Sequence, residues 1–242
     1  MTNKIDHRRN YYLIIDTETC NGFGQPLVYD IGFVIADSKG NIYERRSFVV
    51  YEIFFGEKEL MQSAYYADKI PQYMDGIKSG KWTVKRFFNI RKELLELMAD
   101  YRVSGVCAYN VNFDIRALNC TMGRILGRFS AYFWPKEVRF VDIWTMACHS
   151  LRCQPTYDAR AYKNGWVSDK GNVMTSAEKA YAHLTRSDDY EERHTALEDS
   201  IIETEILVKC FKMRVKSLDP VANPWRIPQP PFREYLAKIN AI

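Results

Sequence analysis

Carboxylates at three separate places along this chain have spacings that would let them act together. The first two, Asp16 and Glu18, stand two residues apart in an alternating apolar run, so a strand would direct both side chains to one face. Charges buried on an apolar face have to be paired or bound to a metal. The pair is therefore a candidate metal site, although an edge strand with two solvated acids would show the same pattern.

The second place is the run from Tyr109 to Asp114, where a short apolar segment gives way to a helix that begins near Asn112. Asp114 falls in the first turn of that helix, where the helix dipole favours a carboxylate whatever else it does. Asn110 stands at the turn itself, and its side-chain amide can hydrogen-bond the local backbone. Taken alone, both residues fit ordinary structural roles.

The third place is the start of the last helix, with His194 and Asp199. Five residues at about 100° each rotate by roughly 140°, so the two side chains cannot share one face of a regular helix. They converge only if His194 precedes the helix while Asp199 points inward from its first turns. Taken alone, a surface histidine and a solvated acid beside Glu198 would explain them as well.

The elements that must position these groups predict a mixed α/β fold. Strands are predicted at residues 11–18, 27–36, 42–51, 106–110 and 139–143. The first three form an antiparallel meander with a turn at 39–41. The last two are each followed by a helix, an order that extends the sheet in parallel. We therefore expect a mixed five-stranded sheet flanked by helices.

The remaining segments complete a single predicted domain, residues 1–219, followed by a tail. Residues 56–100 have a helical pattern and form an insertion, and 154–173 are predicted to be irregular. Thr175 and Glu178 form a capping-box pattern before the next helix, and the last helix is predicted over 195–216. Residues 220–242 hold five of the nine prolines, which predicts an extended C-terminal tail.

The composition indicates the class of protein but says little about its partners. The 242 residues are 47% hydrophobic and 26% charged, which is typical of a globular chain with one large core. A net charge of +4 is too small to indicate a polyanionic partner. The apolar run near the N-terminus is too short for a signal sequence or a membrane span. Six scattered cysteines fit reduced thiols, so we expect a cytoplasmic protein with no membrane partner.

Taken together, Asp-x-Glu, Asn-x-x-Phe-Asp and His-x4-Asp resemble the motifs of the DEDDh 3′-to-5′ exonucleases, the DnaQ-like group of the RNase H-like superfamily. The resemblance spans roughly residues 11–212 and implies an RNase H-like fold. Carried over by motif, His194 is the general base, and the metal-binding acids are Asp16, Glu18, Asp114 and Asp199. Tyr109 stands where many members have a histidine, but that residue is not a ligand. The insertion does not align with the proofreading subunits, and stand-alone phage or bacterial enzymes look closest.

The resemblance also implies a cofactor and a reaction. Four converging carboxylates need cations, and hard oxygen ligands select Mg²⁺ or Mn²⁺. Two such ions about 4 Å apart can stabilise the attacking water and the leaving oxygen of a phosphodiester cleavage, with Asp16 bridging the ions. The expected reaction releases nucleoside 5′-monophosphates from the 3′ end of single-stranded or frayed nucleic acid, with DNA favoured.

Substrate contacts are expected from Thr19, Cys20 and Phe23, which follow the first acids, and from Asn110. Phe23 could stack on the terminal base or belong to the core. Three alternatives stay open: an exoribonuclease on the same scaffold, an RNase H-type endonuclease, and a non-catalytic module that binds nucleic acid or a polymerase. Four clustered acids that repel phosphate argue against the module. Whether a polymerase or replication protein is the resident partner is also open.

Overall fold

A mixed six-stranded sheet forms the centre of the computed structural model, which describes residues 5–22, 25–62, 67–129, 131–151 and 154–213. Its strands are β1 (Tyr11–Gly22), β2 (Gln25–Asp37), β3 (Ile42–Val50), β4 (Thr83–Lys85), β5 (Gly105–Ala108) and β6 (Phe140–Asp142). They lie in the order β4-β3-β2-β1-β5-β6. The first three strands pair antiparallel, whereas β4 joins β3, β5 joins β1, and β6 joins β5 in parallel.

Helices cover both faces of this sheet. They are α1 (Tyr51–Phe54), α2 (Lys58–Gln62), α3 (Ile70–Lys78), α4 (Phe87–Tyr101), α5 (Val111–Leu126), α6 (Ile143–Leu151), α7 (Pro155–Lys163), α8 (Ala177–Thr185) and α9 (Ala196–Lys212), with a 3-10 turn at Ala67–Lys69. Alternation along β1 directs Leu13 and Ile15 into a core beneath α1 to α5. Ile14 points to the opposite core, beneath α6 to α9.

The predicted α/β class is confirmed, as are the antiparallel meander and its parallel extension. The sheet has six strands rather than five because residues 83–85 pair with the edge strand β3. The insertion at 56–100, predicted to be helical, therefore contains a short strand between α3 and α4. This strand ties the insertion to the sheet.

Two local predictions on the α9 side were wrong. Residues 154–173, predicted to be irregular, contain α7, which has Pro155 at its first position. Proline suits this position because the first N–H of a helix lacks an intrahelical partner in any case. Helix α8 is capped by Ser176, which accepts a hydrogen bond from the Lys179 N–H, and not by Thr175. The Thr175 hydroxyl instead accepts a bond from the Trp144 indole.

Helix α9 crosses β2 in direct backbone contact at Gly32. A Cβ atom at residue 32 would lie 1.9 Å from the backbone nitrogen of Leu197, so only glycine fits. The Ser200 hydroxyl donates a hydrogen bond of 2.9 Å to the Gly32 carbonyl at the same crossing. Since Gly32 is the register partner of Asp16, this crossing brings the first turns of α9 next to the acids of β1.

The predicted tail at 220–242 and Phe23 lie outside the described residues, so the proposed domain boundary at residue 219 stays a prediction. Within the described ranges no helix is long and apolar enough to cross a membrane. The five cysteines in those ranges are free thiols, as predicted for reduced cysteines.

Candidate metal centre and active site

Three of the predicted acids meet between β1 and α9. Asp16, Glu18 and Asp199 each offer a carboxylate oxygen, and the three atoms lie within 4.8 Å of one another. The Asp199 Oδ1 atom is buried and has no hydrogen-bond partner among the described residues. An orphaned buried carboxylate oxygen beside two further carboxylates is a donor set that suits a hard divalent cation. We refer to these three residues as the acid triad.

The acid triad holds protons unusually strongly. Burial, reinforced by neighbouring acids, raises the pKa of Glu18 to about 7 and that of Asp199 to about 8. Burial raises the pKa of Asp16 well above its usual range, and the nearby charge of Glu203 adds to the effect. Like charges in a low-dielectric site disfavour ionisation in this way. Ionising all three groups at once calls for added positive charge, and a divalent cation held by these carboxylates would supply it.

Asp114, the fourth predicted ligand, lies near the acid triad. It is not among the three residues whose carboxylate oxygens lie within 4.8 Å of one another. It sits in the first turn of α5, is 3% exposed, and accepts a 2.8 Å hydrogen bond from the Thr17 hydroxyl. Burial outweighs this bond and raises the pKa of Asp114 to about 7. The charge of Asp114 in turn raises the pKa of Asp16. Asp114 is therefore electrostatically part of the site.

His194 precedes α9, the position that its spacing from Asp199 requires. Its backbone has the left-handed φ of 50°. Its Nδ1 atom lies 3.7 Å from the Glu192 carboxylate. Burial and, after it, the charge of Lys69 lower the pKa of His194. The lowered pKa favours the neutral imidazole, the form that can accept a proton.

The predicted substrate contact of Cys20 is corrected by the structure. A bulge between Glu18 and Thr19 interrupts the alternation of β1. The Cys20 side chain therefore turns into the opposite core, where it is fully buried and contacts the Leu27 carbonyl. Thr19 remains partly exposed next to the acids.

Asn110 caps α5 with a left-handed φ of 67° and no side-chain cap bond. Its N–H donates a 3.2 Å hydrogen bond to Asp142. Together with Tyr109 and Trp144 it lines a cavity of about 340 Å³. This leaves Asn110 available for the predicted substrate contact, which stays a prediction.

Glu203 is a site residue that the sequence analysis missed. It lies one helical turn beyond Asp199, is 2% exposed, and its Oε2 atom has no partner within the described part of the chain. Burial first, then the charges of Asp114 and Asp199, raise the pKa of Glu203 well above its usual range. The i,i+4 spacing from Asp199, which places both acids on one helix face, is the signal that could have found it.

The sheet order and the helices on both faces define an RNase H-like α/β fold. Among solved structures, a full-length 3′-exonuclease has a TM-score of 0.53 to this chain at 13% identity, covering 92% of this chain and 94% of that one. The zinc-bound complex of E. coli exonuclease I with single-stranded DNA has a TM-score of 0.51 at 14% identity, covering 86% and 41%. The chain thus spans about two fifths of exonuclease I. No protein-family model and no curated protein matches the sequence. At these identities the likeness establishes the fold.

Proposed function

We propose that this chain is a metal-dependent 3′-to-5′ exonuclease that releases nucleoside 5′-monophosphates from single-stranded or frayed nucleic acid, with DNA favoured. The observation that carries the proposal is the acid triad with raised pKa values, together with a histidine just before α9 whose pKa is lowered. The fold shared with solved exonucleases supports it. One of these structures contains single-stranded DNA, which favours that substrate for this chain as well.

The acids fit a pair of divalent cations, Mg²⁺ or Mn²⁺. Asp16, Glu18 and Asp199 would hold one, and Asp16 with Asp114 the other. Bound there, such cations stabilise the charge that develops on the attacking and leaving oxygens of a phosphodiester. Carboxylates of this cluster would otherwise repel the phosphate, so substrate binding is expected to require the cations as well.

His194 would act as the general base. Its lowered pKa favours the neutral ring, which is the state that can take a proton from the attacking water. The Glu192 carboxylate, 3.7 Å from Nδ1, would then stabilise the imidazolium. Thr19 and Asn110 are the proposed contacts to the terminal nucleotide.

The test is cleavage of 5′-labelled DNA and RNA of one sequence by the purified chain with Mg²⁺ or Mn²⁺. We expect stepwise shortening from the 3′ end, release of 5′-monophosphates, and loss of activity in EDTA. The Asp199→Asn variant, purified in parallel, controls for contaminating nucleases.

Other outcomes identify the alternatives. Cleavage of a closed single-stranded circle would indicate an endonuclease, and faster degradation of RNA than of DNA would indicate an exoribonuclease. Binding without cleavage would indicate a non-catalytic module. Activity of the chain alone would show that no polymerase or replication partner is required.

A further inference from the structure

Two contacts from the insertion hold the backbone on either side of His194. Lys69 Nζ donates a 2.6 Å hydrogen bond to the carbonyl of Arg193, the residue before the histidine. On the other side, the Tyr73 hydroxyl donates a 2.6 Å bond to Asp30 Oδ2, and the same oxygen accepts the Ala196 N–H at 3.2 Å. We call Lys69, Tyr73 and Asp30 the clamp.

The backbone between these contacts requires stabilising contacts from outside its own segment. His194 has a φ of 50°, in the left-handed region that residues other than glycine rarely adopt. Thr195, the N-cap of α9, makes no side-chain bond to the helix N-terminus. A free N–H at that terminus is therefore satisfied by Asp30, from the neighbouring strand β2. Strained backbone of this kind persists only where the surrounding structure enforces it.

The Tyr73 side of the clamp is rigid. Tyr73 is 1% exposed, and its ring stacks on Trp82 at a centroid distance of 4.5 Å. The absence of a side chain at Gly76 makes room for Trp82, since a Cβ there would lie 1.9 Å from the indole. The hydroxyl that reaches Asp30 thus has little freedom to move. Asp30 in turn is the register partner of Glu18, next to the acid triad.

The Lys69 side brings a positive charge to the mouth of the site. After burial, its charge is the next cause that lowers the pKa of His194. Lys69, hydrogen-bonded to the residue before His194, therefore lies close enough to affect the proposed base.

We propose that the segment 67–78 of the insertion positions His194 for proton transfer, with Lys69 and Tyr73 as positioning residues. This inference rests on the proposed function of His194 as the base. It also gives a role to a segment that the motifs alone leave unexplained.

The kinetic test compares Lys69→Met and Tyr73→Phe with two matched controls. Lys78→Met removes an exposed lysine at the far end of α3. Tyr101→Phe removes the hydroxyl of another buried tyrosine, which donates a hydrogen bond to the Glu44 carboxylate. Glu44 lies at the opposite end of β3 from the residue that pairs with Asp30. A misplaced catalytic group costs up to about 100-fold in rate, so we expect kcat to fall about tenfold or more in the clamp variants with KM nearly unchanged. Lys69→Arg should restore part of the rate, and the controls should match the wild type.

Repeating both clamp substitutions in a His194→Ala background separates positioning from general stability. If the clamp acts through His194, the additional loss of kcat should disappear when the histidine is absent. Equal losses in both backgrounds, or equal losses in the controls, would overturn the inference.

A measurement that does not depend on catalysis distinguishes the clamp from the proposed nuclease function. The chain has four histidines, and the NMR signal of the His194 ring is the one missing in His194→Ala. Lys69→Met and Tyr73→Phe should shift that signal, whereas Lys78→Met and Tyr101→Phe should leave it in place. A shift in a protein without nuclease activity would support the clamp and refute the proposed function. An unshifted signal would refute the clamp.

Discussion

Carboxylates at two places along the β1–β2 pair, one at its end and one near its middle, have opposite surroundings. At one end Asp37, 5% exposed, is surrounded by donors. It accepts hydrogen bonds from the Lys39 N–H, the Asn41 N–H and side chain, the Tyr43 hydroxyl and the Arg9 guanidinium. Burial alone would raise the pKa of Asp37, but these bonds outweigh it and lower the pKa to about 2.

Near the middle of the pair, the acid triad has like charges instead of donors. The pKa of Asp199 is about 8 and that of Glu18 about 7, and one oxygen of Asp199 has no partner among the described residues. Asp37 and Asp199 are both buried, and both environments adjoin the same pair of strands. Burial by itself therefore does not distinguish a functional acid from a structural one. Here a full set of donors accompanies a carboxylate that stabilises a turn, and a deficit of positive charge accompanies the carboxylates proposed to bind a cation.

The largest expected effect is on activity. Asp16→Asn removes the charge that would serve both cations, so we expect nuclease turnover to fall on the order of 10³-fold or more. The measurement is the cleavage rate of single-stranded DNA at saturating Mg²⁺. Asp37→Asn is the matched control because it makes the same chemical change on the neighbouring strand. If the two variants lose activity equally, the distinction between the acid triad and Asp37 fails.

The second prediction concerns the base. General-base catalysis is typically worth about 10²- to 10⁴-fold, so His194→Ala should lose activity on that scale. Binding of Mn²⁺ and of single-stranded DNA should be retained, since the acid triad is intact. Wild-type rates in His194→Ala across the neutral pH range would show that the histidine only supports the helix start.

The third prediction concerns stability, which should depend on Asp37 and not on Asp16. Leaving buried donors without their acceptor charge costs about 1 to 3 kcal/mol, so Asp37→Asn should lower the free energy of unfolding by about that amount. Asp16→Asn should leave it unchanged or raise it, because one of several repelling charges is removed. Urea unfolding of both variants at neutral pH measures this difference, and a larger loss in Asp16→Asn would contradict it.

The fourth prediction is a pH dependence. In metal-free protein the folded-state pKa values of Glu18 (about 7) and Asp199 (about 8) exceed their usual values of 4.5 and 3.8. A raised folded-state pKa contributes stability that is fully present below the unfolded-state pKa and is lost as the pH rises through the folded-state value. The melting temperature in EDTA should therefore fall from about pH 5 to about pH 8, because the buried acids must ionise.

Mg²⁺ should reverse that fall most strongly at the alkaline end, since cations and protons compete for the same oxygens. Asp199→Asn should flatten the pH dependence, whereas Asp37→Asn should preserve it. A melting temperature in EDTA that rises over the same range would be inconsistent with the raised pKa values.

The sequence alone predicted more of the fold than of the site's surroundings. Alternating strands and the spacing of Asp16 and Glu18 are local patterns, and the structure shows both. The bulge that buries Cys20 and the short strand β4 depend on pairing with distant segments, which local pattern does not encode. Glu203 could have been predicted from its i,i+4 spacing from Asp199. Asp37 lies two residues before the turn predicted at 39–41, which fits its role there, whereas no local pattern predicts that Asp30, in the same strand, joins the clamp.

The central claim is that the acid triad binds a divalent cation, and Mn²⁺ titration followed by electron paramagnetic resonance tests it directly. We predict that the wild type and Asp37→Asn bind Mn²⁺ with similar affinity and that Asp199→Asn binds it much more weakly, at a pH above about 8 where proton competition is least. Unchanged Mn²⁺ affinity in Asp199→Asn would contradict the claim.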